Sequence, residues 1–212
     1  FNFLALKEGA TKIELDLMNQ FQNMISENIL KLVKTIKKVE FVKGNIETKN
    51  NTGSYGNFML RANNLVIDGL NSHNNTTGGV RIENSSNVLV KNSLFHSNDS
   101  GSNNDGLFIG SSGIGNDTNF VVQDSVSYQN GGIGSGSGFD VSTENGSTIS
   151  FGLFERNSSY KNSNYGFSGS GCHNCIWRNN IAYNNESSFG YYEAGTCSYF
   201  NNTSESPKYW AF

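Results

Sequence analysis

A four-residue phrase that begins with glycine recurs between residues 79 and 193. Its copies read Gly79-Val-Arg-Ile, Gly106-Leu-Phe-Ile, Gly138-Phe-Asp-Val, Gly166-Phe-Ser-Gly and Gly190-Tyr-Tyr-Glu, at steps of 27, 32, 28 and 24 residues. A second phrase runs between these copies and always ends in asparagine, at Asn74, Asn98, Asn130, Asn162 and Asn185. Two interleaved phrases with one period predict a solenoid.

The contents of each repeat decide which solenoid it is. Each repeat holds short runs in which apolar and polar residues alternate, separated by clusters of Asn, Ser and Gly. This alternation has the period of a strand and not of a helix, and no leucine-rich consensus is present. The sequence therefore predicts an all-β fold, a right-handed parallel β-helix of about six coils.

Alternation also predicts which side chains face inward. In the glycine phrase, the residue after each glycine is predicted to lie in the core: Val80, Leu107, Phe139, Phe167 and Tyr191. In the second phrase, the predicted inward residues are Leu70, Leu94, Val126 and Ile181. An inward column is predicted two residues later, at Ser72, His96, Tyr128, Tyr160 and Tyr183. The asparagines that end this phrase are interpreted as turn formers, because asparagine tolerates left-handed backbone.

The repeat and its turns that end in asparagine resemble the pectate-lyase-like β-helix superfamily, which includes polygalacturonases, phage tailspikes and surface proteins. The resemblance covers residues 56–202. It implies the fold but no single function, because this superfamily contains lyases, hydrolases, esterases, adhesins and inert scaffolds.

The chain is predicted to divide into an N-terminal segment, residues 1–44, and the β-helix with its tail, residues 45–212. Residues 11–14 match a helix capping box, and apolar residues then recur at helical spacing as far as Ile36. Three roles remain open for this amphipathic helix: a cap on the first coil, a contact with another subunit, or a membrane-surface contact.

The outward residues of the glycine phrase form a candidate carbohydrate-contact strip. Its members are Arg81, Glu83, Phe108, Asp140, Ser168 and Tyr192. Aromatic, acidic and basic groups on one flat strip could stack on a sugar chain and hydrogen-bond to it. The alternative is an ordinary solvated sheet face.

No catalytic residue is assigned from the sequence. Polygalacturonases, which belong to the superfamily that this chain resembles, carry an Asn-x-Asp phrase, paired aspartates, Gly-His-Gly and Arg-x-Lys on successive coils. Here Asn103-Asn-Asp105 matches the first phrase and Asp140 stands as a single aspartate, but the last two phrases are missing. The calcium-binding acidic cluster of pectate lyases is not recognisable either, so no metal or other cofactor is predicted.

Three cysteines occur, at Cys172, Cys175 and Cys197. Cys197 follows the other two by about one coil and is predicted to stack beside one of them. One intramolecular disulfide is expected, with the pairing open and one thiol left over.

Eleven Asn-x-Ser/Thr sequons favour a glycoprotein. They begin at Asn50, Asn74, Asn75, Asn84, Asn98, Asn116, Asn145, Asn157, Asn185, Asn201 and Asn202. A chain this rich in Asn and Ser also produces sequons by chance. The sequons and the disulfide together predict a secreted or cell-surface location.

The partners are predicted from charge and from the two ends of the chain. A net charge of -3 disfavours nucleic acid, and no apolar run is long enough to span a membrane. Both termini are rich in apolar residues, which favours self-association through the solenoid ends. The main hypothesis is therefore a structural or adhesive protein, and the alternative is a protein that binds or cleaves polysaccharide.

Overall fold

The fold consists of three parallel sheets that wind together. The computed structural model describes residues 39–41, 46–52, 55–99, 104–111, 115–132, 135–143, 148–190 and 196–209, and none of these residues is helical. The first sheet, sheet A, contains β1 (Val39–Phe41), β4 (Leu65–Asp68), β7 (Ser86–Lys91), β10 (Asn116–Gln123), β13 (Thr148–Glu155), β17 (Ile176–Arg178) and β20 (Ser198–Phe200), and β16 (Cys172–His173) also pairs with β13.

The other two sheets complete each turn of the chain. Sheet B contains β2 (Ile46–Lys49), β5 (Leu70–His73), β8 (Leu94–His96), β11 (Val126–Tyr128), β14 (Ser158–Tyr160), β18 (Ile181–Tyr183) and β21 (Thr203–Glu205). Sheet C contains β3 (Asn57–Leu60), β6 (Val80–Glu83), β9 (Leu107–Ser111), β12 (Phe139–Thr143), β15 (Tyr165–Ser170) and β19 (Ser187–Gly190).

Each strand pairs in parallel with the strand of the next coil, which confirms the predicted parallel β-helix. The described strands form six coils of three strands and two strands of a seventh. The predicted N-terminal helix lies outside the described residues. The described part of the chain contains no helix that could cross a membrane.

The core is a narrow column of apolar side chains, and the glycine phrase supplies much of it as predicted. Val80, Leu107, Phe139 and Phe167 are all buried, and the rings of Phe139 and Phe167 stack with their centroids 5.2 Å apart. Tyr191 lies outside the described residues. Alternation along sheet C therefore places the core on one face and leaves the other face for the site described below.

The inward register predicted for the second phrase holds in the second coil, where Leu70 and Ser72 are buried, and is wrong from the third coil onward. From the third to the sixth coil the strands of sheet B are three residues long, and only the central residue of each is fully buried: Phe95, Ser127, Ser159 and Ala182. Ile181, predicted to face inward, is 44% exposed. Strand alternation turns the residues on either side of the central one outward, and the central residue itself is small in three of these four strands.

The aromatic column exists, but it lies on the outer face of sheet B. It starts at His73 instead of Ser72, because Ser72 pairs with the buried Phe95. Its rings stack at 4.7–4.8 Å, the spacing of neighbouring strands, and they are His73, His96, Tyr128, Tyr160 and Tyr183.

The asparagine that ends the second phrase faces inward and forms a ladder. Its members are Asn75, Asn98, Asn130, Asn162 and Asn185, each at most 3% exposed. The side-chain amide of each donates to the amide oxygen of the next at 2.9–3.0 Å. The ladder passes through Asn75 and not Asn74, and the Asn51 amide donates to Asn75 at 2.8 Å in the same way. These asparagines also satisfy buried backbone N–H groups, such as that of Asn75.

This ladder explains why the other phrase begins with glycine. A Cβ atom on Gly106 would lie 2.0 Å from the Ser127 hydroxyl and 2.9 Å from the amide nitrogen of Asn130. Gly138 would meet Ser159 and Asn162 in the same way. The glycines therefore allow the backbone to approach the buried polar ladder closely.

The ladders bear directly on the predicted glycans. Asn75, Asn98, Asn157 and Asn185 are at most 1% exposed, and their amides are engaged in side-chain hydrogen bonds. The folded protein leaves no room for a glycan at these four sequons. Asn202 belongs to a second asparagine ladder, in which the Asn157 amide donates to Asn180 at 3.1 Å and the Asn180 amide donates to Asn202 at 3.0 Å.

The remaining sequons differ in position. Four of their asparagines are exposed, namely Asn50, Asn74, Asn116 and Asn201, while Asn84 is half-buried and Asn145 lies outside the described residues. Glycosylation at these positions stays a prediction.

The cysteines lie together at the end of the solenoid. Cys172 and Cys175 form a disulfide, and the half-buried Cys197 keeps its thiol and donates to the Cys172 carbonyl at 3.0 Å. The sequence left this pairing open and predicted that Cys197 stacks beside one of the other two, as its contact with Cys172 confirms. A disulfide is consistent with an oxidising compartment.

Phe151 occupies a backbone position that suits asparagine better. Its φ is 58°, a left-handed conformation that the equivalent residues Asn87 and Asn119 share, and its side chain is 59% exposed. The Asn119 amide donates to Asn87 at 3.2 Å. Phe151→Asn is therefore expected to stabilise the protein by about 1 kcal/mol, because it relieves backbone strain and extends this outer ladder.

The expected gain corresponds to a rise in Tm of about 3 °C, which thermal unfolding followed by circular dichroism can measure. Phe151→Ala serves as the control, since it removes the ring but adds no side-chain amide. An unchanged or lower Tm for Phe151→Asn would contradict the prediction.

Candidate functional site

The outer face of sheet C carries four of the predicted contact residues in one row. The strand register aligns Arg81 with Phe108, Phe108 with Asp140, and Asp140 with Ser168. Glu83 lies two residues after Arg81 on the same strand. Tyr192, the remaining member of the predicted strip, lies outside the described residues.

A second row lies at the corner that leads into sheet C, before or at the first residue of each strand. It contains Tyr55, Asp105, Ser137 and Tyr165, each of which immediately precedes a glycine on its own coil. The two rows enclose a cleft of about 170 Å³, whose lining also includes Ser135, Ser142 and Asn164. The cleft combines aromatic rings, hydroxyl groups, an amide and charged groups, which is typical of a polar-ligand site.

Arg81 is held between two aromatic rings. Its guanidinium carbon lies 4.1 Å from the centroid of the Phe108 ring and 5.3 Å from that of Tyr55. The guanidinium donates to the Tyr55 hydroxyl at 2.8 Å and forms an ion pair with Glu83, whose side chain is only 5% exposed. These contacts fix the arginine in place and compensate its charge.

Two carboxyl groups on successive coils lie in the same cleft. Asp105 is 5% exposed, and its Oδ1 accepts a hydrogen bond from the Ser137 backbone N–H at 2.8 Å. Asp140 Oδ2 accepts a hydrogen bond from the Ser142 hydroxyl at 2.7 Å. One aspartate is thus held by the corner and the other by the strand.

The surroundings of the two aspartates favour different protonation states. Burial raises the pKa of Asp105 well above its ordinary value, and the charge of Asp140 raises it further. Burial also raises the pKa of Asp140, but hydrogen bonds from Ser142 and Ser168 and the charge of Arg81 oppose that rise. The pair therefore retains one proton at a pH where a solvent-exposed aspartate is ionised, and Asp105 is the better site for that proton.

Paired carboxyls of this kind can act as an acid and a base. A protonated Asp105 can donate a proton to a bound ligand, while an ionised Asp140 can accept one. Sequence patterns alone identified both residues but did not pair them, and they gave Asp105 no place in the contact strip. Its position one coil before Asp140 was the available signal.

Potential metal ligands come together at the cysteines, outside the cleft. Among the described residues, the only three potential metal ligands with donor atoms within 4.8 Å of one another are Cys172, Cys175 and Cys197. Two of these are already joined as a disulfide. Glu83, the carboxylate next to the cleft, forms an ion pair with Arg81.

Comparison with known proteins supports the fold. No protein-family model and no curated protein sequence matches the chain. Among solved structures, the chain is similar to the crystal structure of pectate lyase Pel9A, with a TM-score of 0.52 and 16% sequence identity. The match covers 79% of this chain but 52% of that enzyme, so the chain spans about half the length of the enzyme it resembles.

Proposed function

We propose that this protein binds an oligosaccharide segment in the cleft of sheet C and hydrolyses a glycosidic bond there. The observation that carries the proposal is the pair Asp105 and Asp140, two carboxyls in one cleft whose surroundings favour different protonation states. Glycosidases use two carboxyl groups in this way, one as a proton donor and one as a base or nucleophile.

The lining of the cleft suits a sugar chain. Tyr55, Phe108 and Tyr165 supply aromatic surface, and Ser135 and Asn164 supply hydrogen-bonding groups. Sugar rings present apolar C–H faces and hydroxyl edges, so aromatic rings next to short polar side chains match both. The fold is similar to that of an enzyme whose name describes it as a pectate lyase, which is consistent with a polysaccharide ligand.

The proposed reaction divides the work between the aspartates. Asp105 donates its proton to the glycosidic oxygen as the bond from that oxygen to the anomeric carbon breaks. Asp140 removes a proton from a water molecule, whose oxygen bonds to the anomeric carbon. The proton gained by Asp140 returns to Asp105 through solvent, which restores the starting state. Arg81 helps to keep Asp140 ionised, because its positive charge favours the carboxylate.

Secretion or surface exposure is part of the proposal. The Cys172–Cys175 disulfide and the exposed sequons at Asn50, Asn74 and Asn116 support it. An extracellular location would also give the cleft access to polysaccharides outside the cell.

The test is incubation of the purified protein with a panel of polysaccharides, followed by a reducing-end assay and mass spectrometry of the products. Hydrolysis adds one water to each broken bond, whereas a lyase leaves an unsaturated sugar. We expect new reducing ends and saturated products from at least one polysaccharide. Unsaturated products, or no cleavage across a panel that spans neutral and acidic polymers, would overturn the proposal.

A second candidate function, structural or adhesive self-association, is favoured by the last described coils. Phe200 is 54% exposed, Tyr209 is 60% exposed, and both β20 and β21 lie at an end of their sheets in the described part of the chain. Exposed apolar side chains beside open strand edges favour stacking on a second solenoid.

Self-association can be tested by analytical ultracentrifugation and electron microscopy. Phe200→Lys should reduce assembly, whereas Phe151→Asn, which removes an exposed phenylalanine two coils earlier, should not. A wild-type protein that stays monomeric at high concentration would exclude this candidate.

A further inference from the structure

We propose that the glycan recognised by the cleft is an uncharged polysaccharide and not a polyuronate. This inference rests on the proposed function and adds the substrate class to it. It also separates this chain from the structurally similar enzyme, whose name refers to pectate.

The first argument is the charge of the cleft. Of the described residues that line it, only Arg81 carries a permanent positive charge. That charge is already used, because Arg81 forms an ion pair with the buried Glu83 and donates to the Tyr55 hydroxyl. A uronate carboxylate would thus find no uncompensated cation among these residues.

The second argument is the aspartate pair. With one proton shared between them, Asp105 and Asp140 leave one negative charge in the cleft. A sugar carboxylate bound beside them would add a like charge in a partly desolvated site, which weakens binding. A neutral sugar avoids this repulsion altogether.

The third argument is what the remaining lining offers. Ser135, Ser137 and Asn164 line the cleft together with the rings of Phe108 and Tyr165. Hydroxyls and an amide recognise sugar hydroxyls, and aromatic faces recognise the C–H face of a pyranose ring. These groups do not require a charge on the ligand.

The experiment uses Asp105→Asn, which replaces a neutral acid with a neutral amide and prevents turnover. Its affinity is measured by isothermal titration calorimetry for neutral oligosaccharides from glucan, xylan and mannan, and for oligogalacturonate of matched length. We expect the best neutral ligand to bind about tenfold more tightly than oligogalacturonate. The expected difference is modest because solvent weakens the charge repulsion in a partly solvated cleft. Equal or tighter binding of oligogalacturonate would overturn the inference.

Glu83→Gln tests the charge argument directly in the Asp105→Asn background. It releases the charge of Arg81, so binding of oligogalacturonate relative to the neutral ligand should rise about tenfold at low salt and return toward its original value at high salt. Glu155→Gln is the matched control, because Glu155 pairs with Arg156 and Arg178 on sheet A. No rise in binding for a folded Glu83→Gln variant would contradict the inference.

The outcomes separate this inference from the function on which it rests. Cleavage of polygalacturonate to saturated products would preserve the proposed hydrolase and overturn only the neutral substrate class. Failure to bind or cleave any glycan would overturn both.

Discussion

Asn130→Ala is expected to lower the free energy of unfolding by about 3–4 kcal/mol. The Asn130 amide donates to Asn162 at 2.9 Å and to the Ser127 hydroxyl at 3.0 Å, and its oxygen accepts from the Asn98 amide at 2.9 Å and from the Asn98 backbone N–H. Alanine removes all four of these hydrogen bonds and takes away the acceptor of the buried Asn98 backbone N–H, and each buried group that loses its partner costs about 1–3 kcal/mol. The effect is large against a typical stability of about 5–15 kcal/mol.

Urea unfolding of the wild type and the variant measures this loss. Asn63→Ala is the matched control, because Asn63 is exposed and accepts a single hydrogen bond from the Ser86 hydroxyl. We expect the control to stay within about 0.5 kcal/mol of the wild type. Equal stabilities for Asn130→Ala and the wild type would show that the ladder does not hold the coils together.

The asparagine ladder also shows the limit of pattern reading. The recurrence of one asparagine per coil was visible in the sequence, and it correctly predicted a repeated corner. Whether the side chain turns outward or inward depends on the hydrogen bonds of neighbouring coils, and a period alone does not contain that information. The glycine phrase becomes intelligible only with the ladder, because Gly106 and Gly138 leave space for it.

The inward register was predicted correctly where strands are long enough to alternate, and wrongly where they are short. In sheet C, strands of four to six residues place Leu107 and Phe139 inward as expected. In sheet B after the second coil, a strand of three residues has one inward position, and an error of one residue reverses every assignment. The small Ser127 and Ser159 were the available clue, since a tight corner admits small side chains.

The sequence predicted one of the two rows that line the cleft. Alternation on sheet C brings Arg81, Phe108 and Asp140 into one row, and the sequence predicted these residues as part of a contact strip. Asp105 lies at a corner, where alternation does not apply, so its approach to Asp140 depends on the bend of the chain. Its raised pKa depends on burial, which only the folded coils create.

Asp105→Asn and Asp140→Asn are each expected to reduce kcat of the proposed hydrolysis by roughly 10³-fold, within the range for loss of a general acid or base. Loss of Asp105 removes the proton donor, and loss of Asp140 removes the group that activates water. Asp124→Asn is the matched control, because Asp124 forms an ion pair with Arg156 at an exposed site outside the cleft. The control should keep the wild-type rate.

Asp105→Asn and Asp140→Asn should keep or gain stability near neutral pH, which separates a catalytic role from a structural one. A carboxyl whose pKa is raised by folding stabilises the protein at a pH below its unfolded value, about 3.9, and this contribution is lost as the pH rises toward the folded value. Asparagine does not titrate, so the variants do not lose stability in this way as the pH rises. At position 105 its side-chain oxygen can still accept a hydrogen bond from the Ser137 N–H. We therefore expect unfolding free energies at pH 7 equal to or above the wild type, with a smaller decline between pH 4 and pH 7. Variants that lose activity only because they unfold would contradict the assignment of Asp105 and Asp140 as the acid and base.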